Sequence, residues 1–215
     1  MKKFEDDYYW PLYSEIYAKQ TTEMMNNDKY DFIFKNSYVK DDKIIYTENL
    51  HENWKDIYNK VLETRVLSVM ECGCGPGHHL YNIQHLFPTI KIYGIELLES
   101  QCYHGCNDLK IPASFYDNVT IGDFTIPDVY KTLAQQFEFV FTQTVIQHLN
   151  HSSAINFIRN MAGASSKYVM LKENPKNHDY ESLIEESGIL TEFDFDIIPG
   201  LLVTSMFFQR KSTKQ

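Results

Sequence analysis

The sequence predicts an α/β fold, a mostly parallel sheet assembled around a glycine-rich turn. Three observations lead there. Residues Val66 to Met70 form a short apolar run with two valines, which reads as a buried parallel strand. Glycines then stand at every second position, Gly73, Gly75 and Gly77, where the missing Cβ permits positive φ and close approach of the backbone to a ligand. Directly afterwards Leu80, Ile83 and Phe87 fall at helical spacing. Strand, glycine-rich turn and helix in that order open a nucleotide-binding α/β unit.

The turn also narrows the ligand. A dinucleotide fingerprint needs glycine at position 78, which is His78, and no Gly-Lys-Ser/Thr triplet of a P-loop follows. What stands here is Glu71-x-Gly73-x-Gly75-x-Gly77. An acid at the strand end suits a ligand carrying an ammonium group and repels a pyrophosphate. An NAD-dependent oxidoreductase is therefore disfavoured.

Length and composition bound the rest. The 215 residues suit one α/β domain with a small appendage. No apolar run reaches the roughly 18 residues of a membrane span. The opening Met1-Lys2-Lys3-Phe4-Glu5-Asp6-Asp7 turns acidic where a leader would turn apolar, so a cytoplasmic protein is expected. The net charge of -9 argues against a nucleic-acid partner, which needs clustered Lys and Arg. Cys72, Cys74, Cys102 and Cys106 are too few for a disulfide scaffold and lack zinc-site spacing, so reduced packing thiols and no metal are expected.

Residues 1–62 read as an N-terminal helical cap or lid, and residues 63–215 as the core. A helix is expected from Pro11 to about Met25, with Leu12 and Ile16, and Tyr13 and Tyr17, as i,i+4 pairs. Its aromatics either pack the cap or close over an acceptor, and Tyr13 and Tyr17 are candidate acceptor contacts. Extended pieces are expected around Phe32 and Ile44. Leu50, Trp54, Ile57, Tyr58, Val61 and Leu62 then form one helical stripe.

The core continues with a second strand, Ile90–Glu96. Its final carboxylate lies near the offset at which such units place an acid on ribose hydroxyls. A helix over Leu97–Leu109 and a strand and turn over Val119–Phe124 follow. Asp123 is read either as an adenine contact or as a turn residue, with Ile121 or Phe124 beside the ring. Phe137–Gln143 is a buried strand, followed by a helix over Asn150–Ala162 and a strand over Lys167–Asn174. Tyr180–Ser187 is a helix stopped by Gly188. Glu192–Ile198 and Leu202–Phe208 flank Pro199-Gly200 as a closing hairpin.

Taken in order, Glu71-x-Gly73-x-Gly75-x-Gly77, Glu96, Gly122-Asp123 and Phe139–Gln143 with Val145-Ile146-x-His148-Leu149 resemble the class I S-adenosylmethionine-dependent methyltransferases. The resemblance covers about residues 61–210. It implies a Rossmann-like, seven-stranded, mostly parallel sheet with helices on both faces. Its strand order would be 3-2-1-4-5-7-6, counted from the strand before the glycine turn, with the last strand antiparallel. It also implies S-adenosyl-L-methionine as cofactor. Glu71, Gly73, Cys74, Gly75 and Gly77 would hold one part of it, and Glu96 and Leu97 another. Gly122, Asp123, Phe124, Thr142 and Gln143 would complete the contacts. Within the class, the chain is similar to small bacterial methylases of surface-glycan and capsule biosynthesis. The phrases around His148 and Lys172-Glu173-Asn174 are also similar to protein N-terminal α-amine methyltransferases.

Methyl transfer from a sulfonium is an in-line displacement, so the protein mainly aligns the acceptor and removes a proton where needed. His148 is the candidate base, against a reading in which it only orients a neighbouring loop. Glu173, Asn174 and His178 are candidate acceptor contacts. The expected partner is a small polar acceptor, methylated at oxygen, and the expected state a monomer or homodimer. A non-catalytic S-adenosylmethionine-binding protein is the rival from another class.

Overall fold

The computed structural model describes Glu15, Ile16, Lys19, Gln20, Glu23 and residues 30–176, 178–198 and 204–212. Those first five residues are helical, and the remainder of the expected Pro11–Met25 helix, with Tyr13 and Tyr17, lies outside the described residues. Seven strands form one sheet: β3 (Ser68–Cys72), β4 (Lys91–Glu96), β5 (Val119–Ile121), β6 (Phe137–Gln143), β7 (Ser165–Glu173), β8 (Phe193–Ile198) and β9 (Thr204–Arg210). Their order is β5-β4-β3-β6-β7-β9-β8. This is the expected 3-2-1-4-5-7-6 arrangement, with β9 antiparallel to both β7 and β8. Among the described residues the chain folds as two compact units, one holding residues 30–68 and 74–122, the other residues 69–73, 123–176, 178–198 and 204–212.

In the first of these units, β1 (Tyr38–Lys40) and β2 (Lys43–Ile45) make a hairpin. Its two-residue loop, Asp41-Asp42, has both φ values positive, as a tight hairpin turn demands. The expected extended piece at Phe32 is no strand. Its backbone is claimed by a side chain: Asn82 Nδ2 donates to Phe32 O at 2.8 Å, and Phe34 N–H donates to Asn82 Oδ1 at 2.9 Å. Helix α1 (Glu52–Thr64) starts where the His51 side chain accepts from Asn53 N–H and ends at Arg65 in the left-handed region. It buries Trp54, Ile57, Tyr58 and Val61, each contributing about 1.5–3 kcal/mol relative to exposure. Helix α2 (His78–Leu86) follows the glycine turn and buries Leu80, Ile83 and Leu86. β4 then pairs in parallel with β5, with Glu96 opposite Ile121. Helix α3 (Glu99–Asn107) is shorter than expected at both ends. Leu98 is extended, its N–H drawn to Glu96 Oε1, and Lys110 has positive φ.

In the other unit, β3 pairs in parallel with β6 and β6 with β7, so that Glu71 lies opposite Phe141 and Gln143 opposite Lys172. Val69, Met70, Phe139, Val140, Phe141, Val169 and Met170 are fully buried, as strands covered on both faces require. Helix α4 (His151–Ala164) is capped by the Asn150 side chain accepting from Ser153 N–H. Helix α5 (Tyr180–Ser187) runs from its Asp179 cap to Gly188, whose φ of 76° ends it as expected. The last strand runs on to Arg210, two residues past the Phe208 end that the sequence suggested, and residues 199–203, with the expected Pro199-Gly200 turn, lie outside the described residues.

Candidate functional site

The glycine turn is built by backbone hydrogen bonds. Cys74 N–H donates to Ile95 O at 3.1 Å, and Gly77 N–H to Cys74 O at 2.9 Å. Tyr116 Oη donates to Pro76 O at 2.8 Å and lies where a side chain on Gly105 would stand. Gly75, at φ +52°, is different: a Cβ there would meet only Gln101 Oε1, at 3.8 Å. Its glycine answers to the backbone conformation and leaves the turn open on that side.

Glu96 closes β4 beside this opening. Its Oε2 accepts from Gly75 N–H at 2.8 Å and its Oε1 from Leu98 N–H at 3.0 Å. Burial pushes its carboxyl up, against the pull of these N–H groups. Leu97 N–H also pulls on this carboxyl, which with about four acceptor sites keeps capacity for a ribose hydroxyl without dismantling the turn. Around this acid, Leu97 is 38% and Ile121 46% exposed at the ends of β4 and β5. Exposed apolar side chains flanking a buried acid suit the faces of an aromatic base. The Gly122 amide donates to Glu96 O at 2.8 Å, which places the expected Gly122 contact at the same strand ends.

His78 and His79 begin α2. Neither ring nitrogen of His78 has a hydrogen-bond partner among the described residues. Burial, and then neighbouring His104, hold its pKa down to about 3, so it is neutral at pH 7. It packs against Phe32 and Trp54, with ring centroids at 5.6 and 5.3 Å. His79 Nδ1 lies 2.9 Å from Tyr58 Oη. Both histidines are thereby packing groups at the helix start.

The other unit carries the remaining expected residues. Glu71 is 2% exposed in β3. Gly73 has φ +70°, and a Cβ there would lie 2.5 Å from Val145 Cγ2. This glycine is demanded by packing, which local sequence does not reveal. Thr142 is fully buried and donates to Cys72 O at 2.8 Å, so its hydroxyl ties β6 to β3 and, having no exposed surface, it is not the cofactor contact expected of it. Gln143 ends β6 with Oε1 buried and without a hydrogen-bond partner among the described residues. Asp123 Oδ1 accepts from Thr125 N–H at 2.8 Å and Thr125 Oγ1 at 2.7 Å, which is the turn reading of that residue. Phe124 is buried, edge-on to Phe157, leaving Ile121 as the exposed one of the two proposed ring neighbours.

Among the expected acceptor residues, Glu173 departs from expectation. Glu173 is fully buried, and its carboxyl accepts from the N–H groups of Val145, Ile146 and Gln147. A side chain with no exposed surface contacts no acceptor, so that assignment is corrected. His178 Nε2 donates to Ile146 O at 3.0 Å, and Asn174 Oδ1 accepts from Lys176 N–H at 3.0 Å. His148 is half-buried in the short turn after β6, its Nε2 2.9 Å from Gln147 Nε2. Burial holds it down to about 4. Among the described residues, no group of three or more His, Cys, Asp or Glu side chains is placed to hold a metal ion, and all four cysteines are free thiols. A cleft lined by Asp42, Tyr46, Asn59 and Glu63 contains none of the residues expected at the site.

No protein-family model matches the chain, and no curated protein sequence does. Solved structures do. Magnesium protoporphyrin IX methyltransferase from Synechocystis PCC 6803, solved with bound S-adenosylmethionine, is 15% identical with a TM-score of 0.58, over 74% of this chain and 79% of that one. The methyltransferase domain of bacterial CtHen1-C is 11% identical with a TM-score of 0.62, over 75% and 98%. TehB from Haemophilus influenzae is 13% identical with a TM-score of 0.55, over 76% and 63%. The chain has the fold of the S-adenosylmethionine-dependent methyltransferases.

Proposed function

We propose that this chain is an S-adenosylmethionine-dependent methyltransferase that O-methylates a small polar acceptor. The observation that carries this reading is the Gly75–Glu96 pair: a left-handed glycine open on one side, hydrogen-bonded to a buried acid flanked by exposed Leu97 and Ile121. That set accepts ribose hydroxyls and covers a base, and it offers no cationic grip for a pyrophosphate.

S-adenosylmethionine, when bound, supplies a sulfonium methyl group for displacement by the acceptor. The chain supplies position and proton handling. Glu96 and the glycine turn orient the nucleoside end. His148, neutral at pH 7, takes the acceptor proton where one must leave. The acceptor class is a sugar-linked or phosphate-linked precursor of a surface polysaccharide. This rests on the phrase around His148 and on an acidic chain of net charge -9.

Calorimetry with S-adenosylmethionine, S-adenosylhomocysteine and NAD tests the cofactor. Binding of both sulfur nucleosides and not of NAD is expected, and the reverse pattern would sink the reading. Transfer of a labelled methyl group to phosphorylated sugars, sugar nucleotides and a peptide with a free N-terminus then tests the acceptor. Faster labelling of the peptide overturns the acceptor class. Binding without transfer to any of them favours a non-catalytic protein.

A further inference from the structure

The turn after β6 is held in an unusual way. It begins at Thr144, whose φ of 57° lies in the left-handed region that a β-branched residue rarely adopts. Such a backbone persists only where its surroundings over-determine it. Three anchors do so here. Thr144 N–H donates to Lys172 O at 2.8 Å. His178 Nε2 donates to Ile146 O at 3.0 Å. Glu173 collects three consecutive amides, Val145 at 3.0 Å and Ile146 at 3.1 Å on Oε1, and Gln147 at 3.2 Å on Oε2.

The third anchor requires a particular side chain. Three N–H groups converging within one turn need a partner with two acceptor oxygens, which glutamate has and glutamine lacks. The turn also bears two groups that matter elsewhere. Val145 presses on Gly73, the first glycine of the nucleotide turn, and His148 is the candidate base. Glu173 touches neither ligand, since it has no exposed surface.

We infer that Glu173 is the positioning residue of the proposed methyl transfer, fixing the 144–148 turn so that Val145 seats Gly73 and His148 is held in one place. This role rests on the methyltransferase reading. It separates Glu173 from the acceptor and makes it a link between the end of β7 and the glycine turn.

The test compares the unaltered chain with Glu173→Gln and Glu173→Ala. Amide hydrogen exchange and S-adenosylhomocysteine affinity are read on each. Glu173→Gln keeps one acceptor oxygen, so exchange should quicken at Gln147 while Val145 and Ile146 stay protected. Glu173→Ala should release all three amides and weaken S-adenosylhomocysteine about tenfold, one hydrogen bond's worth of ordering, with Glu173→Gln recovering most of that loss. Unchanged exchange at residues 145–147 in both variants overturns the inference. So does local opening with equal affinity in all three proteins, or uniform loss of protection across β6 and β7. Should the alanine variant fail to fold, the glutamine variant still reports on Gln147. If the unaltered chain fails to bind S-adenosylhomocysteine, the methyltransferase reading falls and the positioning role with it. The exchange pattern alone then says whether Glu173 clamps the turn.

Discussion

The backbone N–H of Gly75 donates to Glu96 Oε2 at 2.8 Å, so the acid expected to meet a ribose also holds the turn expected to approach the same ligand. One side chain thereby joins the carboxyl end of β4 to the glycine turn. Replacing Glu96 by alanine removes both functions at once. S-adenosylhomocysteine binding should weaken by roughly 1.5–3 kcal/mol, the loss of charge-assisted hydrogen bonds. The Gly75 amide should exchange faster. A dissociation constant that does not move would leave Glu96 as a turn anchor alone.

Gly75→Ala separates space from backbone. The new methyl meets only Gln101 Oε1 at 3.8 Å, so the fold loses about 1 kcal/mol for the left-handed conformation and little more. Nucleoside binding should suffer further, because the methyl occupies the open side of the turn. Gly73→Ala should behave oppositely, with stability lost first through the overlap with Val145. Melting temperature and calorimetry on the two variants distinguish the cases.

Asn82 gives a prediction about stability. It is fully buried and bonds Phe32 O, Phe34 N–H and Tyr58 Oη. Asn82→Ala leaves a buried carbonyl and a buried amide without their partner, at a cost of about 2–4 kcal/mol in urea denaturation. A change below about 0.5 kcal/mol would mean that the 32–34 segment contributes nothing to the folded state.

His148 predicts the shape of a pH profile. A base must be neutral to accept a proton, and burial keeps His148 neutral down to about pH 4. Turnover should therefore survive acidification through pH 6.5 and fail only as pH falls through about 4. His148→Ala should lower turnover on the order of 10²-fold. An acid limb near 6.5 that persists in this variant would assign proton removal to another group.

Local chemistry made much of the architecture legible. Phe137–Gln143 and Tyr180–Ser187 have the bounds their apolar patterns and the Gly188 stop predicted. Glu96 falls at its strand end because the glycine-turn offset is a short-range property of one βαβ unit. Local pattern and structure part where a partner distant in sequence takes over. Phe32 looked like a strand until Asn82, fifty positions on, supplied the hydrogen bonds that a neighbouring strand would have made. Glu173 looked like an acceptor contact because it is polar at a strand end, yet its partners stand on the turn after β6.

By itself, then, the sequence determined the order of strands and helices, the glycine turn and the acid that answers it. These depend on periodicity, on the absence of a Cβ and on residues one unit apart. Only the tertiary structure decided which polar groups face inward. Thr142 is spent on Cys72, Asp123 on Thr125 and Glu173 on three amides, while Gly73 is glycine because Val145 occupies its side. The reason is physical: a buried polar group takes its role from whatever donor or acceptor the fold brings within about 3 Å, and that neighbour is set by packing across the sheet.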